Sequence, residues 1–228
     1  MEKLLSLTNR ISREHPFFLQ ENKVRLSLLI ILVTYFVGIV VVKILDYPDF
    51  LRLTPLQLLT SFALLLWNHE GGKTALWRFT LLAFLTGYSV EVAGVATGII
   101  FGEYAYGEIL GPKLWDTPLL IGINWAMVVY CGNASINRFL PKKTGMLIKV
   151  MLGAAIPVAL DWFIEPVAIR YGMWTWENGA PPLHNYIGWY ATALVLSWAW
   201  QAWLGSSRNV AAVWLLGAQL VFFIVLGW

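Results

Sequence analysis

Seven apolar stretches recur along the chain, and each approaches the length of about 20 residues that a helix needs to cross a bilayer. Charged residues make up only 13% of the 228 residues, whereas an average soluble domain carries about 25%. These features predict an all-α, polytopic membrane helical bundle. The stretches are 24–45, 53–68, 76–100, 117–136, 146–169, 185–205 and 210–228.

The number and direction of the spans follow from length and charge. The second stretch is short and acids interrupt the fifth, so five- and six-helix arrangements remain alternatives. With the N-terminus in the cytoplasm, 12 of the 16 Lys and Arg residues lie on the inner side, as the positive-inside rule requires. We therefore expect about seven transmembrane helices with the N-terminus inside. The same bias explains a net charge of +3 without a nucleic-acid partner.

The N-terminal segment and the cysteine content limit the targeting signals, disulfides and metal sites that the chain can have. Residues 1–23 carry mixed charges and no apolar run, which excludes a secretory signal peptide. We expect them to form a short segment on the cytoplasmic membrane surface, followed by a single integral-membrane domain over residues 24–228. Cys131 is the only cysteine, so an internal disulfide is excluded and no metal site of the Cys/His type is predicted.

Four polar residues lie within the apolar stretches, where such residues are costly and by default indicate a functional site. At about 1.5 Å per residue, Glu91, Asp161 and Asn124 reach one depth in the outer half of the bilayer. Glu165 lies one helical turn beyond Asp161, on the same face. No basic residue is expected at this depth. Because burial and like charges both disfavour ionisation, at least one carboxyl should be protonated at neutral pH, which predicts an acid–base pair.

The third stretch places Gly87, Glu91, Gly94 and Gly98 on one helical face. Close packing of a neighbouring helix is the ordinary explanation for small residues in a membrane helix. The alternative is a groove that admits a long, flat ligand, with Glu91 in its wall.

Proline and aromatic residues mark the outer ends of the third, fifth and sixth stretches. Pro166 follows Glu165 directly, so we expect this carboxyl at a bend or end of the fifth helix. The neighbouring outer segments are rich in Tyr and Trp, whose ring faces attract positive charge. They predict an aromatic wall above the acids.

Three motifs together resemble a known family. They are E-x2-G-x3-G-x2-FG-x-Y-x-Y from Glu91 to Tyr106, D-x3-EP-x5-G-x-W-x-W from Asp161 to Trp176, and P-x2-N-x2-GW from Pro182 to Trp189. Over about residues 76–200 the chain resembles the membrane-embedded carotenoid biosynthesis proteins typified by the carotenoid 1,2-hydratases (CruF-type).

The resemblance implies hydration of the terminal 1,2 double bond of an acyclic carotenoid end group, of the lycopene or γ-carotene type. It implies no redox cofactor. The implied partners are the lipophilic carotenoid, water, the lipid bilayer and other enzymes of the carotenoid pathway. The implied location is the cytoplasmic membrane of a bacterium or archaeon.

This chemistry assigns roles to the polar residues. Protonation of the alkene carbon gives a tertiary carbocation, which water captures as a base accepts the water's proton. We expect Asp161 to donate the proton, Glu165 to activate water and Glu91 to share the proton network; Asp161 and Glu91 could exchange roles. Asn124 would orient a carboxyl. The expected substrate-binding residues are Asn124, Tyr104, Trp162, Trp174, Trp176, Asn185, Gly94 and Gly98.

Two alternatives remain open. A membrane lycopene cyclase begins with the same protonation, but a neighbouring alkene captures the cation. A non-enzymatic carotenoid binder or proton-relay protein is the other alternative. Its retinal-binding form is disfavoured because the last stretch has no lysine for a Schiff base.

Overall fold

Seven α-helices form the part of the chain that the structure, a computed structural model, describes: residues 16–228, with side chains from residue 21 onward. The helical fold class is therefore confirmed, while most of the expected surface segment, 1–23, lies outside the described residues. The helices are α1 (Pro16–Ile39), α2 (Thr54–Trp67), α3 (Lys73–Thr97), α4 (Leu120–Phe139), α5 (Met146–Arg170), α6 (Leu183–Leu204) and α7 (Val210–Gly227).

Within the described part of the chain, five helical segments are long and apolar enough to cross a bilayer by length and composition, which indicates an integral membrane protein. The first two include more than one helix type: α1 continues into the π-helical Val40–Ile44, and the 3-10 helix Pro48–Leu53 precedes α2. The segments are Glu21–Ile44, Pro48–Trp67, Lys73–Thr97, Met146–Arg170 and Val210–Gly227.

Helix α4 lies at the centre of the bundle. It packs against α2, α3, α5, α6 and α7, and 14 of its 20 residues are buried. This protein environment lets α4 carry polar residues that a lipid-facing helix could not bury. Asn133 Nδ2, for example, donates to the Val129 carbonyl at 2.9 Å and to Ser197 Oγ at 2.8 Å.

Four short strands join the helices at the predicted outer end. They pair as two antiparallel ribbons, β1 with β4 and β2 with β3. The tight turn between β2 and β3 contains Trp115 and Asp116, which have φ angles of 51° and 57°, as a two-residue hairpin turn requires. The strands are β1 (Tyr104–Tyr106), β2 (Lys113–Leu114), β3 (Thr117–Pro118) and β4 (Trp174–Trp176).

The predicted stretches match the helices closely, with three informative differences. Helix α1 begins at Pro16, before residue 24, and within it Arg25 pairs with Glu21 one turn earlier. Helix α4 begins after residue 117, because Thr117–Pro118 forms β3. Helix α5 continues past its second proline to Arg170, so Glu165 lies inside its last two turns rather than at its end, and the alternative of a bend at this residue stays a prediction.

The glycine face of α3 serves close packing and helix termination. A Cβ on Gly87 would lie 2.4 Å from the side chain of Trp125 on α4, and one on Gly94 would lie 2.5 Å from the Phe101 ring. Gly98 has a φ of 66° and its N–H donates to the Gly94 carbonyl at 2.8 Å, a left-handed helix end that glycine favours. Protein atoms next to Gly87 and Gly94 favour close packing over the alternative of a ligand groove, and a substrate-binding role of Gly94 and Gly98 stays a prediction.

Replacing Gly87 by alanine should lower the free energy of unfolding by about 1–3 kcal/mol, because the added methyl overlaps Trp125 in a packed interior. Thermal unfolding of the purified protein in detergent measures this effect. Gly217→Ala is the matched control, since a Cβ there meets nothing within 4 Å and alanine favours the helix. An equal Tm for the two variants would contradict this account of α3–α4 packing.

The positive-inside pattern predicts opposite sides for two exposed loop residues, Lys143 between α4 and α5 and Asn178 between β4 and α6. A cysteine at 178 should react with a membrane-impermeant maleimide in intact cells, and a cysteine at 143 only after permeabilisation. The native Cys131 is buried, so the wild-type background should be low. If position 143 but not position 178 were labelled in intact cells, the orientation would be the opposite of the predicted one.

Candidate active site

Three carboxyl groups lie inside the bundle and line one cavity of about 350 Å³. Glu91 on α3 is 2% exposed, and Asp161 and Glu165 on α5 are 2% and 4% exposed. Among the described residues that line the cavity there is no Lys, Arg or His. None of the ion pairs within residues 21–228 includes one of these three acids. The carboxyls must therefore be held by neutral hydrogen-bond donors.

Glu91 accepts three such hydrogen bonds. The hydroxyl groups of Tyr104 and Tyr106 donate to its Oε2 at 2.6 Å and 2.7 Å. The indole Nε1 of Trp125 donates to its Oε1 at 2.9 Å, and the Trp125 ring stacks on Trp189 with centroids 4.1 Å apart. Both Glu91 oxygens thus act as acceptors.

Glu165 accepts two hydrogen bonds on a single oxygen. The indole groups of Trp174 and Trp176 donate to its Oε2 at 3.0 Å and 2.9 Å. An indole N–H can only donate, so this oxygen is an acceptor in any protonation state of the site. Glu165 Oε1 has no side-chain donor among the described residues.

Asp161 is the least engaged of the three carboxyls. Its Oδ2 accepts one hydrogen bond, from Asn185 Nδ2 at 3.1 Å, and Oδ1 has no donor within residues 21–228. Asn185 is buried at the start of α6, so this bond joins α5 to α6 at the cavity wall. Asp161 and Glu165 each keep one oxygen without a side-chain donor in the described part of the chain, and Asp161 has the fewer donors of the two.

The ribbon of β1 and β4 supplies four of the six donors. Tyr104 lies opposite Trp176, and Tyr106 lies opposite Trp174. Alternate residues of a strand share one face, so each strand turns two aromatic side chains toward the acids while Ala105 and Thr175 remain exposed. Strand β1 donates to Glu91 and strand β4 to Glu165. The ribbon thus connects α3 and α5 through side-chain hydrogen bonds.

The two tyrosines of β1 keep the protons with which they can donate. Burial, and then the charge of Glu91, raise the pKa of Tyr104 well above its ordinary value, and the same causes act on the pKa of Tyr106. Both phenols therefore keep their protons at neutral pH.

The cavity also reaches the lipid-facing surface of the bundle. Its lining includes Val33 and Val37 of α1 and Leu53 and Leu56 beside or within α2, and all four are among the exposed large apolar residues. An apolar rim of this kind connects the acids to the region where the hydrocarbon of a bilayer would lie.

Most residues predicted for the site do line this cavity. They are Glu91, Asp161, Glu165, Asn124, Tyr104, Trp174, Trp176 and Asn185. Asn124, however, donates to none of the three carboxyls within the described part of the chain, and Asn185 instead holds Asp161. The catalytic and binding roles of these eight residues remain predictions.

Three predicted substrate-binding residues lie elsewhere. Gly94 and Gly98 are not among the cavity-lining residues, because Phe101 and the end of α3 occupy that face. Trp162 is 58% exposed and its ring lies 5.4 Å from that of Tyr186. Trp162 follows Asp161 directly, and successive helical residues diverge by about 100°, so it turns away from the cavity.

Sequence reasoning missed Tyr106 and Trp125 as donors to Glu91, and Trp189 as a cavity wall. Tyr106 belongs to the Y-x-Y pattern, and the two-residue spacing of a strand would have indicated that it acts together with Tyr104. Trp125 follows Asn124 within an apolar stretch and carried no separate signal.

Comparison with known proteins agrees with this geometry. Residues 53–227 match the family described as carotenoid biosynthesis protein, and this range includes all three buried acids. A curated relative, bisanhydrobacterioruberin hydratase of Haloarcula japonica, is 28% identical over 116 residues, which are 49% of this chain and 40% of the relative. The match thus spans less than half of that relative's length. No solved structure matches the chain.

Because the family match extends over well more than half of its residues, the chain belongs to the carotenoid biosynthesis protein family.

Proposed function

We propose that the protein is a carotenoid hydratase, which adds water to the terminal 1,2 double bond of an acyclic carotenoid end group of the lycopene or γ-carotene type. The observation that carries this proposal is the cluster of three buried carboxyls in an aromatic, apolar cavity that no cationic side chain of the described residues lines. The name of the Haloarcula relative, a hydratase, supports the same reaction class.

Asp161 is the proposed proton donor. The unequal hydrogen bonding supports this choice: Asp161 accepts one bond, whereas Glu165 accepts two and Glu91 three. A protonated carboxyl needs an oxygen free to present its O–H, which Asp161 and Glu165 each have among the described residues and Glu91 does not. Donors stabilise the charged form of a carboxyl, so Asp161, with the fewest donors, is the group proposed to hold the proton. If Glu91 were the donor, its proton would compete with the groups that already contact both of its oxygens.

The reaction then proceeds in balanced steps. The alkene π electrons form a C–H bond with the Asp161 proton, which leaves Asp161 as a carboxylate and the neighbouring carbon as a tertiary cation. Water attacks the cation through oxygen and forms the C–O bond. Glu165 accepts the proton that this water loses. A proton returning from Glu165 to Asp161, one helical turn away, restores the starting state, and one water molecule has been added.

The surroundings suit a cationic intermediate. The rings of Tyr104 and Trp176 lie 4.9 Å apart and line the cavity together with Trp174 and Trp189. Aromatic faces attract a cation most strongly where water is excluded. Glu91, fixed as an acceptor by three donors, adds preorganised negative charge of the kind that stabilises a transition state.

The apolar rim of Val33, Val37, Leu53 and Leu56 supports entry of the carotenoid from the bilayer. A substrate of this class dissolves in the hydrocarbon core, so it can approach the carboxyls laterally without crossing water. The cytoplasmic membrane, the location implied by the family resemblance, is part of this proposal.

Replacing Asp161 by asparagine should lower hydration by about 10²- to 10⁴-fold, the contribution of a general acid. Glu165→Gln should lower it comparably, through loss of the base. The measurement is the product mass in membranes of lycopene-accumulating cells. Glu103→Gln is the control, because Glu103 is exposed and does not line the cavity. Full product formation by Asp161→Asn would exclude the assigned donor.

The same product analysis decides between the proposed reaction and its nearest alternative. A hydratase product is heavier than its substrate by one water molecule, whereas a cyclase product has an unchanged mass. A chain that only binds the carotenoid would leave the substrate unaltered in both mass and absorption spectrum.

A further inference from the structure

The side chain of Asn124 on α4 lines the cavity, but the hydration steps described above give it no role. Asn124 is half-buried. Leu120 and Ile121, which precede it by four and three residues, line the cavity as well, so all three lie on one helical face. The next residue, Trp125, donates to Glu91 at 2.9 Å. Asn124 therefore lies on the cavity-facing side of α4, beside a residue that contacts the acids.

Asn124 differs from the other amide side chains that line the cavity. The other three amides each have a side-chain partner in the protein: Thr34 for Gln57, Asp161 for Asn185 and Tyr35 for Gln219. Asn124 has no hydrogen-bond partner within residues 21–228, where the acids take their donors from other residues. Its amide offers one acceptor oxygen and two N–H donors, and leaving them unpaired in apolar surroundings is costly. A small molecule that both donates and accepts would satisfy this amide.

Hydration requires such a molecule, a water held in place before the cation forms. A buried water makes about three hydrogen bonds and needs a volume of about 30 Å³, so a cavity of about 350 Å³ has room for it beside the end of a carotenoid. Each of its O–H groups needs an acceptor. Glu165 Oε1, which has no side-chain donor among the described residues, can accept one of them. Asp161 presents its own proton to the alkene at this stage, so the amide oxygen of Asn124 is the acceptor for the second.

The position of this water decides what the cation becomes. A tertiary cation can bond to the oxygen of water, or it can lose a proton from an adjacent carbon to a base and form an alkene again. Glu165 can be the base in both cases, since it takes the proton from water in the first and from carbon in the second. A water held between Glu165 and Asn124 places an oxygen lone pair next to the cation and keeps the base away from the carbon-bound protons.

We propose that Asn124 binds the attacking water together with Glu165 and thereby directs the cation to hydration instead of proton loss. The inference rests on the proposed hydratase function and assigns the choice of product to a residue of α4. Asn124 Oδ1 accepts one O–H of the water. Glu165 Oε1 accepts the other O–H and takes its proton as the C–O bond forms. The amide stays neutral throughout, so it adds no charge to the apolar cavity.

The test is Asn124→Leu, which keeps the approximate size of the side chain and removes its hydrogen-bonding groups. Membranes with the wild type or the variant react with lycopene in D₂O, and mass spectrometry at early times measures two products. One is the alcohol, and the other is unhydrated carotenoid with one deuterium on carbon. Both arise from the same cation, so their ratio does not depend on the amount of folded enzyme. The ratio of unhydrated deuterated carotenoid to alcohol should rise about three- to tenfold in Asn124→Leu, the value of one hydrogen bond.

Two further variants serve as controls. Asn137 also lies on α4, but its Nδ2 donates to the Gly205 carbonyl at 2.9 Å and it does not line the cavity. Asn137→Leu should therefore keep the wild-type ratio. Asn124→Ser retains a hydroxyl that can accept and donate, so its ratio should lie below that of Asn124→Leu. Asn124→Leu should fold, because it removes no hydrogen bond made within residues 21–228.

The outcomes separate the two proposals. If the wild type forms no alcohol from lycopene, the hydratase function fails and the water site falls with it. If the wild type forms the alcohol but Asn124→Leu lowers both products by the same factor, Asn124 acts on proton transfer, for example by orienting a carboxyl, and the water site is overturned. An equal ratio in Asn124→Leu and Asn124→Ser, or an equal rise in Asn137→Leu, would overturn it as well.

Discussion

Three carboxyl groups share one cavity in the interior of a membrane bundle, and within residues 21–228 no Lys, Arg or His lines it. The arrangement around the carboxyls follows from this constraint. A buried carboxyl needs either a proton or donors for its oxygens. Here the donors are neutral: two phenols, three indoles and one amide. Four of them come from a ribbon of only two three-residue strands, which must therefore stay in register for the acids to remain satisfied.

The ribbon also explains how the acids can differ. Each strand serves one glutamate, and Asp161 receives its single bond from the start of another helix, α6. Three carboxyls of similar intrinsic acidity are thereby placed in three environments, with three, two and one donors. Environments that separate otherwise similar carboxyls are how acid and base roles are divided at one site. Under the proposed mechanism, this division gives a fixed anion, a base and a proton donor.

Sequence reasoning predicted the helical bundle and the three buried acids of the cavity, because both depend on rules local to one helix. Run length located the helices, and the four-residue spacing of Asp161 and Glu165 placed both side chains on one face. Applied to Trp162, which follows Asp161 directly, the same rule places its side chain on a different face of the helix from the two acids. The spacing rule also suggested a ligand groove along Gly94 and Gly98. Spacing identifies a helix face of small residues but does not identify the atoms that pack against that face.

The contacts that sequence reasoning missed join segments far apart in the chain. The pairing of Tyr104 with Trp176 and of Tyr106 with Trp174 has no periodic signal, since each strand has three residues and its aromatics resemble an interfacial belt. The stacking of Trp125 on Trp189 depends on the approach of α3 and α6 to α4.

The central claim is that a buried carboxyl protonates carbon and that water then captures the cation. Its most direct test is the reaction of lycopene in D₂O enriched in H₂¹⁸O, followed by mass spectrometry of the product. The account predicts one deuterium on carbon and one ¹⁸O in a tertiary alcohol for each end that reacts. A product with deuterium but no ¹⁸O would show that an alkene captured the cation, and a product with ¹⁸O but no carbon-bound deuterium would contradict proton transfer to carbon.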